Sequence, residues 1–263
     1  MADTDIICKP TADTFIRFGI VLAAFFGFGL YFFYDGAIGY RVENEVFASY
    51  HAFAELGKDA EMLSADRWAE RTQKPLFEQV TEGEEICAVA GEQHYPVAVS
   101  DRLYTFPEEA LDQMQMAKSW SDCWTAYTKR MHFPIKPGEH GHDLSAIREQ
   151  WYAGGVCMLV SLTIIYLMVR TKRRVMSLHG DDVTAAGQSF KVADITRLDL
   201  RQWGTGFKGV AYATVNGRKI RMDGMTYGGF ARSKGEPAER FMQGILAQYK
   251  GEILEYEQKG VKH

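Results

Sequence analysis

Charge is absent from two long stretches of this chain, residues 18–34 and residues 151–169. At a helical rise of ~1.5 Å per residue the runs reach ~26 and ~28 Å, close to the ~30 Å hydrocarbon core of a bilayer. A soluble core helix is the other source of such a run, but core helices are usually shorter and lack aromatic and basic flanks. With no acid or base inside, neither run offers an ion or proton relay, so two such helices are a poor conduit by themselves. Other absences narrow the chemistry. No Ser, Cys or Thr stands in a nucleophile-elbow or Cys–His context, and spacing assigns no carboxylate pair to acid and base roles. The chain has no recognition helix or aromatic base platform, which argues against a nucleic-acid partner. Nothing calls for a cofactor or marks a small-molecule substrate.

Read as spans, the runs divide the chain into a tail (1–13), a first transmembrane helix (14–36), an intervening domain (37–149), a second transmembrane helix (150–169) and a C-terminal domain (170–263). Tyr31, Phe32, Phe33, Tyr34 and Tyr40 at the exit of the first, and Trp151 and Tyr152 at the entrance of the second, form interfacial belts on one face of the bilayer. A cleavable signal peptide has a shorter apolar core and a small-x-small site, and residues 33–38 offer none, so the first run reads as an uncleaved anchor.

Arg170, Lys172, Arg173 and Arg174 follow the second run directly, whereas Arg148 stands before it against Asp143 and Glu149. Basic clusters stay cytoplasmic during insertion, which expects both termini inside and residues 37–149 outside. The bulk charge agrees: residues 37–149 hold 11 Lys and Arg against 20 Asp and Glu, and residues 170–263 hold 17 against 10.

Of the four cysteines, Cys8 falls in the tail and Cys157 in the second span, leaving Cys87 and Cys123 outside. An oxidising compartment permits a bridge between them, which would close ~36 residues and stabilise by roughly 3 to 4 kcal/mol. Two separate buried thiols are the alternative, because spacing does not supply bridge geometry.

The outer domain reads as a helical hairpin. Val46, Phe47, Tyr50, Phe53, Ala54 and Leu63 recur at helical spacing over residues 43–71, a pattern that can continue the first span's helix outward, with Gly57 as a weak point. Thr105 to Glu108 spells a capping box, followed by a stripe of Met114, Ala117, Trp120, Trp124, Tyr127 and Met131. Residues 85–90 and 95–99 suggest a short hairpin that Pro96 confines to an edge. Residues 132–138 break the chain before a last helix.

After the second run the period changes to alternation, over residues 174–179, 189–192, 195–201, 209–215 and 219–223. Asn216-Gly217 is a strong two-residue hairpin signal. Pro237 then opens a helix whose expected apolar face holds Phe241, Met242, Ile245, Leu246, Tyr249, Ile253 and Tyr256. This order, several antiparallel strands and one closing helix, resembles the pleckstrin-homology-like domains of bacterial membrane proteins. Five of that fold's seven strands are legible here. The whole chain is similar to two-pass bacterial membrane proteins carrying such a domain. The resemblance implies a membrane α+β fold in the bacterial inner membrane, with residues 37–149 in the periplasm.

Several patterns invite a sharper chemistry. Residues 204–209 spell GxGxxG, but a strand pattern follows where a dinucleotide site needs a helix, so turn glycines are the better account. His140 and His142, with Glu139 and Asp143, are possible metal ligands, set against a solvated helix entrance capped by Asp143 or Ser145. Gly19, Gly27, Gly29, Gly154 and Gly155, with Ser161, permit close helix approach, either between the two spans or to further subunits. Lys191, Arg197, Arg201, Lys208, Arg218, Lys219 and Arg221 form either a basic face or solvated strand edges. The expectation is a non-enzymatic two-pass scaffold, accessory subunit or signal-coupling protein whose partners are the bilayer and other membrane subunits or copies of itself. A metal-dependent factor or enzyme using His140 and His142, and an anionic-lipid binder, are the alternatives.

Overall fold

The computed structural model describes residues 5–82, 85–90, 93–95, 97–99, 104–203, 209–228 and 237–255. The chain divides into two compact units, Phe26–Met158 and Met1–Phe25 with Leu159–His263. In chain order the first half holds β1 (Ile6–Cys8), α1 (Ala12–Tyr34), a π-helical turn (Asp35–Gly39), α2 (Tyr40–Met62), α3 (Ala65–Arg71), β2 (Glu78–Glu82), β3 (Glu85–Ala90) and β4 (Gln93–Tyr95). A 3-10 turn (Glu108–Ala110), α4 (Gln113–Met131) and α5 (Leu144–Lys172) follow. The rest holds β5 (Met176–His179), β6 (Asp182–Ala185), β7 (Gln188–Lys191), a second 3-10 turn (Val192–Asp194), β8 (Ile195–Asp199), β9 (Val210–Val215), β10 (Arg218–Asp223), α6 (Gly224–Gly228), α7 (Pro237–Leu246) and β11 (Glu252–Leu254).

Two helical segments, Ala12–Met62 and Leu144–Lys172, are long and apolar enough to cross a membrane. A soluble core helix would be mostly buried, whereas 6% and 17% of their most apolar windows are. Ile20, Phe28, Tyr31, Leu159, Leu162 and Tyr166 are exposed. Helical structure does run on from the first apolar run, through the π turn and into α2. α5 begins well before the expected span, because Asp143 caps it: its carboxylate accepts from the Ala146 N–H at 2.7 Å and from the Ser145 hydroxyl.

In the Phe26–Met158 unit, α2 packs along α4 around a core of Phe53, Leu56, Trp68, Met116, Trp124 and Tyr127. The hairpin of helices is joined by an antiparallel sheet in the order β2-β3-β4; the expected strand 85–90 is β3, but its later partner is Gln93–Tyr95 and not residues 95–99, of which 97–99 are not strand. Pro96 lies outside the described residues. The Thr105–Glu108 capping box is not used: Pro107 is extended (ψ 141°) and only a 3-10 turn follows. α4 starts later, where Asp112 accepts from the N–H groups of Met114 and Gln115. It ends at left-handed His132 (φ 57°), as the break after residue 131 predicts. Gly57 does not weaken α2. It lies under Trp120, whose Cδ1 would stand 2.8 Å from an added Cβ, so the small residue lets the two helices meet.

The other unit corrects the reading of residues 1–13 as a plain tail. Residues Ile6, Ile7 and Cys8 pair antiparallel with Leu178, Ser177 and Met176, giving a four-stranded sheet in the order β1-β5-β6-β7. A second sheet runs β10-β9-β8-β11. Both share one core that includes Cys8, Leu178, Val183, Leu198, Ala213, Met222, Phe241 and Ile245. Asn216 (φ 50°) and Gly217 (φ 74°) make the expected hairpin turn, closing Val215 against Arg218. Ala186 and Gly187 do the same between β6 and β7, and β6 occupies residues that the sequence alone leaves between strands.

The C-terminal helix packs on this core, as expected, but it is shorter than the apolar stripe suggests and is not the last element. α7 buries Ala238, Phe241, Met242 and Ile245 but stops at Leu246, and residues 252–254 form β11, paired parallel with β8. Ile253 is therefore a strand residue opposite Leu198, and Tyr256 lies outside the described residues.

Candidate functional site

The described residues hold one cleft that combines the basic run with residues sequence reasoning left unassigned. Leu167, Arg170, Thr171 and Arg174 fall at i, i+3, i+4 and i+7, so one face of α5 and the turn beyond it carries all four. The chain keeps turning past α5, with the Arg174 N–H donating to the Thr171 carbonyl at 3.1 Å. Facing them across a cavity of about 190 Å³ are Met176, Ala186, Arg221, Asp223, Thr226 and Tyr227.

Its floor is a hydrogen-bonded corner. One oxygen of Asp223 accepts from the Arg221 guanidinium at 2.7 Å and the other from the Thr226 N–H at 3.0 Å. The Thr226 carbonyl accepts from the Thr11 N–H at 3.0 Å, fastening the start of α1 to α6. Arg174 lies over the β6–β7 turn, its Nε 3.6 Å from where a Cβ on Gly187 would stand. Burial pushes the Tyr227 phenol above its ordinary range, with the charge of Arg174 acting the other way and that of Asp223 adding to the rise. Among the described residues no ion pair uses Arg170 or Arg174. Lys172 and Arg173, the other cations of the run, do not line the cleft. The signal for Arg170 and Arg174 was present as helical spacing; Asp223, Thr226 and Tyr227 carried none, because the β10–α6 corner reaches them through the tertiary fold.

The wider set of basic residues is largely neutralised on the strands. Lys191 meets Asp181 at 3.2 Å, Arg197 meets Glu252 at 2.9 Å, and Arg201 meets Asp199 at 2.7 Å. Arg218 and Lys219 are exposed on β10. Lys208 lies outside the described residues, as do residues 204–208 of the GxGxxG pattern; after Gly209 comes strand β9.

In the Phe26–Met158 unit the His140–His142 segment is tied to α2. The fully buried Asn44 amide donates to the carbonyls of Ala98 and His142, each at 2.7 Å, and accepts from the His142 N–H at 2.6 Å. The His142 ring stacks on Tyr40 at 3.7 Å, and its Nε2 lies 2.8 Å from Glu43. His140 is exposed and does not share these contacts. Among the described residues no three His, Cys, Asp or Glu side chains come together as a metal set.

The five glycines of the two apolar helices divide. Gly29 lies against Cys157 and Met158, and Gly154 lies under Phe33, where an added Cβ would meet the ring at 2.7 Å. Gly19, Gly27 and Gly155 face open space. Gly36, not singled out from the sequence, lies against Trp151.

Cys123 is a buried free thiol on α4, its pKa raised chiefly by burial, and Cys87 is buried on β3 opposite Val80. The structure does not join Cys87 to Cys123 in a disulfide. Compared with protein-family models, curated proteins and solved structures, the chain matches none.

Proposed function

We propose that this chain is a non-enzymatic two-pass protein of the bacterial inner membrane, with α1 and α5 as its spans and both termini in the cytoplasm. It joins the acidic domain of residues 37–149, in the periplasm, to a basic pleckstrin-homology-like cytoplasmic domain. Its role is that of a scaffold, accessory subunit or signal-coupling component.

The observation that carries this reading is the pairing of β1 with β5. The strand before the first apolar helix and the strand after the second belong to one sheet and one core, as two crossings require if both termini lie on the same side. The exposed apolar faces of both helices and the basic residues at 170–174 support the same orientation. Two small sheets with one amphipathic helix on a shared core support a recognition module, and Gly19, Gly27 and Gly155 leave small-residue faces for another subunit.

The metal-dependent reading at His140 and His142 has less support. His142 already has Glu43, Tyr40 and Asn44 as neighbours, which accounts for it without an ion. Unchanged metal content after substitution of both histidines by Ala would remove that alternative. The proposed role is tested by purification from native membranes in mild detergent. Stoichiometric partners or a defined oligomer are expected; a clean monomer contradicts it.

A further inference from the structure

We propose that the cleft at the end of α5 binds a phosphate oxyanion, carried by the headgroup of an anionic phospholipid or by a soluble phosphate ester. The inference rests on the two-pass reading, which sets Arg170 at the depth of the inner headgroups.

The charge balance of the lining favours an anion. Arg170, Arg174 and Arg221 stand against one carboxylate, Asp223, which is committed to Arg221 and the Thr226 N–H. An entering anion therefore meets two guanidinium groups with no carboxylate partner among the described residues. Guanidinium presents paired N–H donors that match phosphate oxygens, and it keeps its charge when partly desolvated. Thr171 and the protonated Tyr227 place hydroxyl groups in the same lining.

Orientation during insertion depends on cations near the span whatever face they occupy. It does not account for Arg170 and Arg174 being gathered with Arg221, from β10, while Lys172 and Arg173 are left out. Leu167 and Met176 line the same cavity, an apolar wall that suits the glycerol and upper acyl part of a lipid. A soluble ester has no use for that wall, so the two sources can be separated.

The test uses the full chain in mild detergent, with native mass spectrometry against an equimolar mixture of phosphatidylglycerol and phosphatidylcholine. One phosphatidylglycerol should be retained in preference to phosphatidylcholine. Arg170→Gln with Arg174→Gln should weaken that retention roughly twenty-five-fold, about fivefold per cation, the equivalent of about 1 kcal/mol each. Arg218→Gln, on β10 but outside the cleft, should leave it unchanged. Both arms of a competition support the site: displacement of the lipid by inorganic phosphate and glycerol phosphate identifies a soluble ester, and resistance identifies the lipid. Equal retention of the two lipids by the wild type, with no effect of phosphate, overturns the proposal and needs no variant to fold. Unchanged retention in a folded double variant overturns it equally. Orientation plays no part in detergent, and cysteine labelling in cells reports it separately, so failure of the site and failure of the two-pass reading give different results.

Discussion

Cys8 lies opposite Met176 in an antiparallel strand pair, so a residue just before the first long helix faces one just after the second. Cys8 is fully buried in the core that both sheets share. Burial raises its thiol from an ordinary 9.0 to about 11, with a smaller opposing effect from Arg240.

That shift makes a pH prediction. A thiol whose pKa is raised by folding favours the folded state at pH values below its unfolded pKa, and the contribution is lost as the pH rises through the folded value. Stability of the wild type should therefore fall by about 2 to 3 kcal/mol more than that of Cys8→Ala between pH 9 and pH 11. Chemical unfolding of the two proteins across that range checks it; parallel curves would mean that the tail strand is not docked.

Asn44 holds the chain at residues 98 and 142 through three hydrogen bonds. Asn44→Ala should destabilise the protein by about 2 to 4 kcal/mol, since buried carbonyls and an N–H lose their partner. His142→Ala should cost about 1 kcal/mol or less, because Asn44 bonds to the backbone of that residue and the ring is partly exposed. Thermal unfolding in detergent ranks the two variants, and the reverse order would contradict the clamp.

Gly57 should resist a change that helix propensity favours. Alanine in a helix gains up to about 1 kcal/mol over glycine, but here the new methyl meets Cδ1, Cγ and Cβ of Trp120 within 3.1 Å. The contact includes the root of the side chain, so a rotamer change does not relieve it. Gly57→Ala should lose about 1 to 3 kcal/mol, and less in a Trp120→Ala background. A stabilised Gly57→Ala protein would refute this packing.

The glycines of the two apolar helices separate internal packing from assembly. Gly154→Leu should lower the unfolding temperature in detergent through its clash with Phe33, whereas Gly155→Leu and Gly19→Leu should not. If the open glycines serve association, those two variants should instead shift the oligomer distribution seen by cross-linking.

Much of the architecture was legible because it rests on local signals. Two apolar runs gave α1 and α5, and Asn216-Gly217 gave the β9–β10 hairpin through the left-handed conformations such a turn needs. What escaped depended on distant partners. β1 is three residues long, and its pairing with Met176, Ser177 and Leu178 has no trace in its own sequence. Thr105 and Glu108 satisfy the capping-box pattern, but the chain there is extended at Pro107 and Asp112 serves as the cap. The apolar stripe of α7 was read into residues 253–256 because periodicity does not register the pairing of Ile253 with Leu198. In the cleft, Arg170 and Arg174 were legible only as members of the basic run, and the fold separated them from Lys172 and Arg173 and brought Arg221, Asp223 and Tyr227 to them.

Labelling of intact cells with a membrane-impermeant maleimide decides which domain of the chain faces the cell exterior. Cys8, Cys87 and Cys123 are buried and Cys157 lies within α5, so single cysteines introduced by Met114→Cys, at a residue 83% exposed, and Gln188→Cys, on exposed β7, supply the readout. Met114→Cys is expected to be labelled on intact cells and Gln188→Cys only after the membrane is opened; labelling in the opposite sense would invert the proposed orientation.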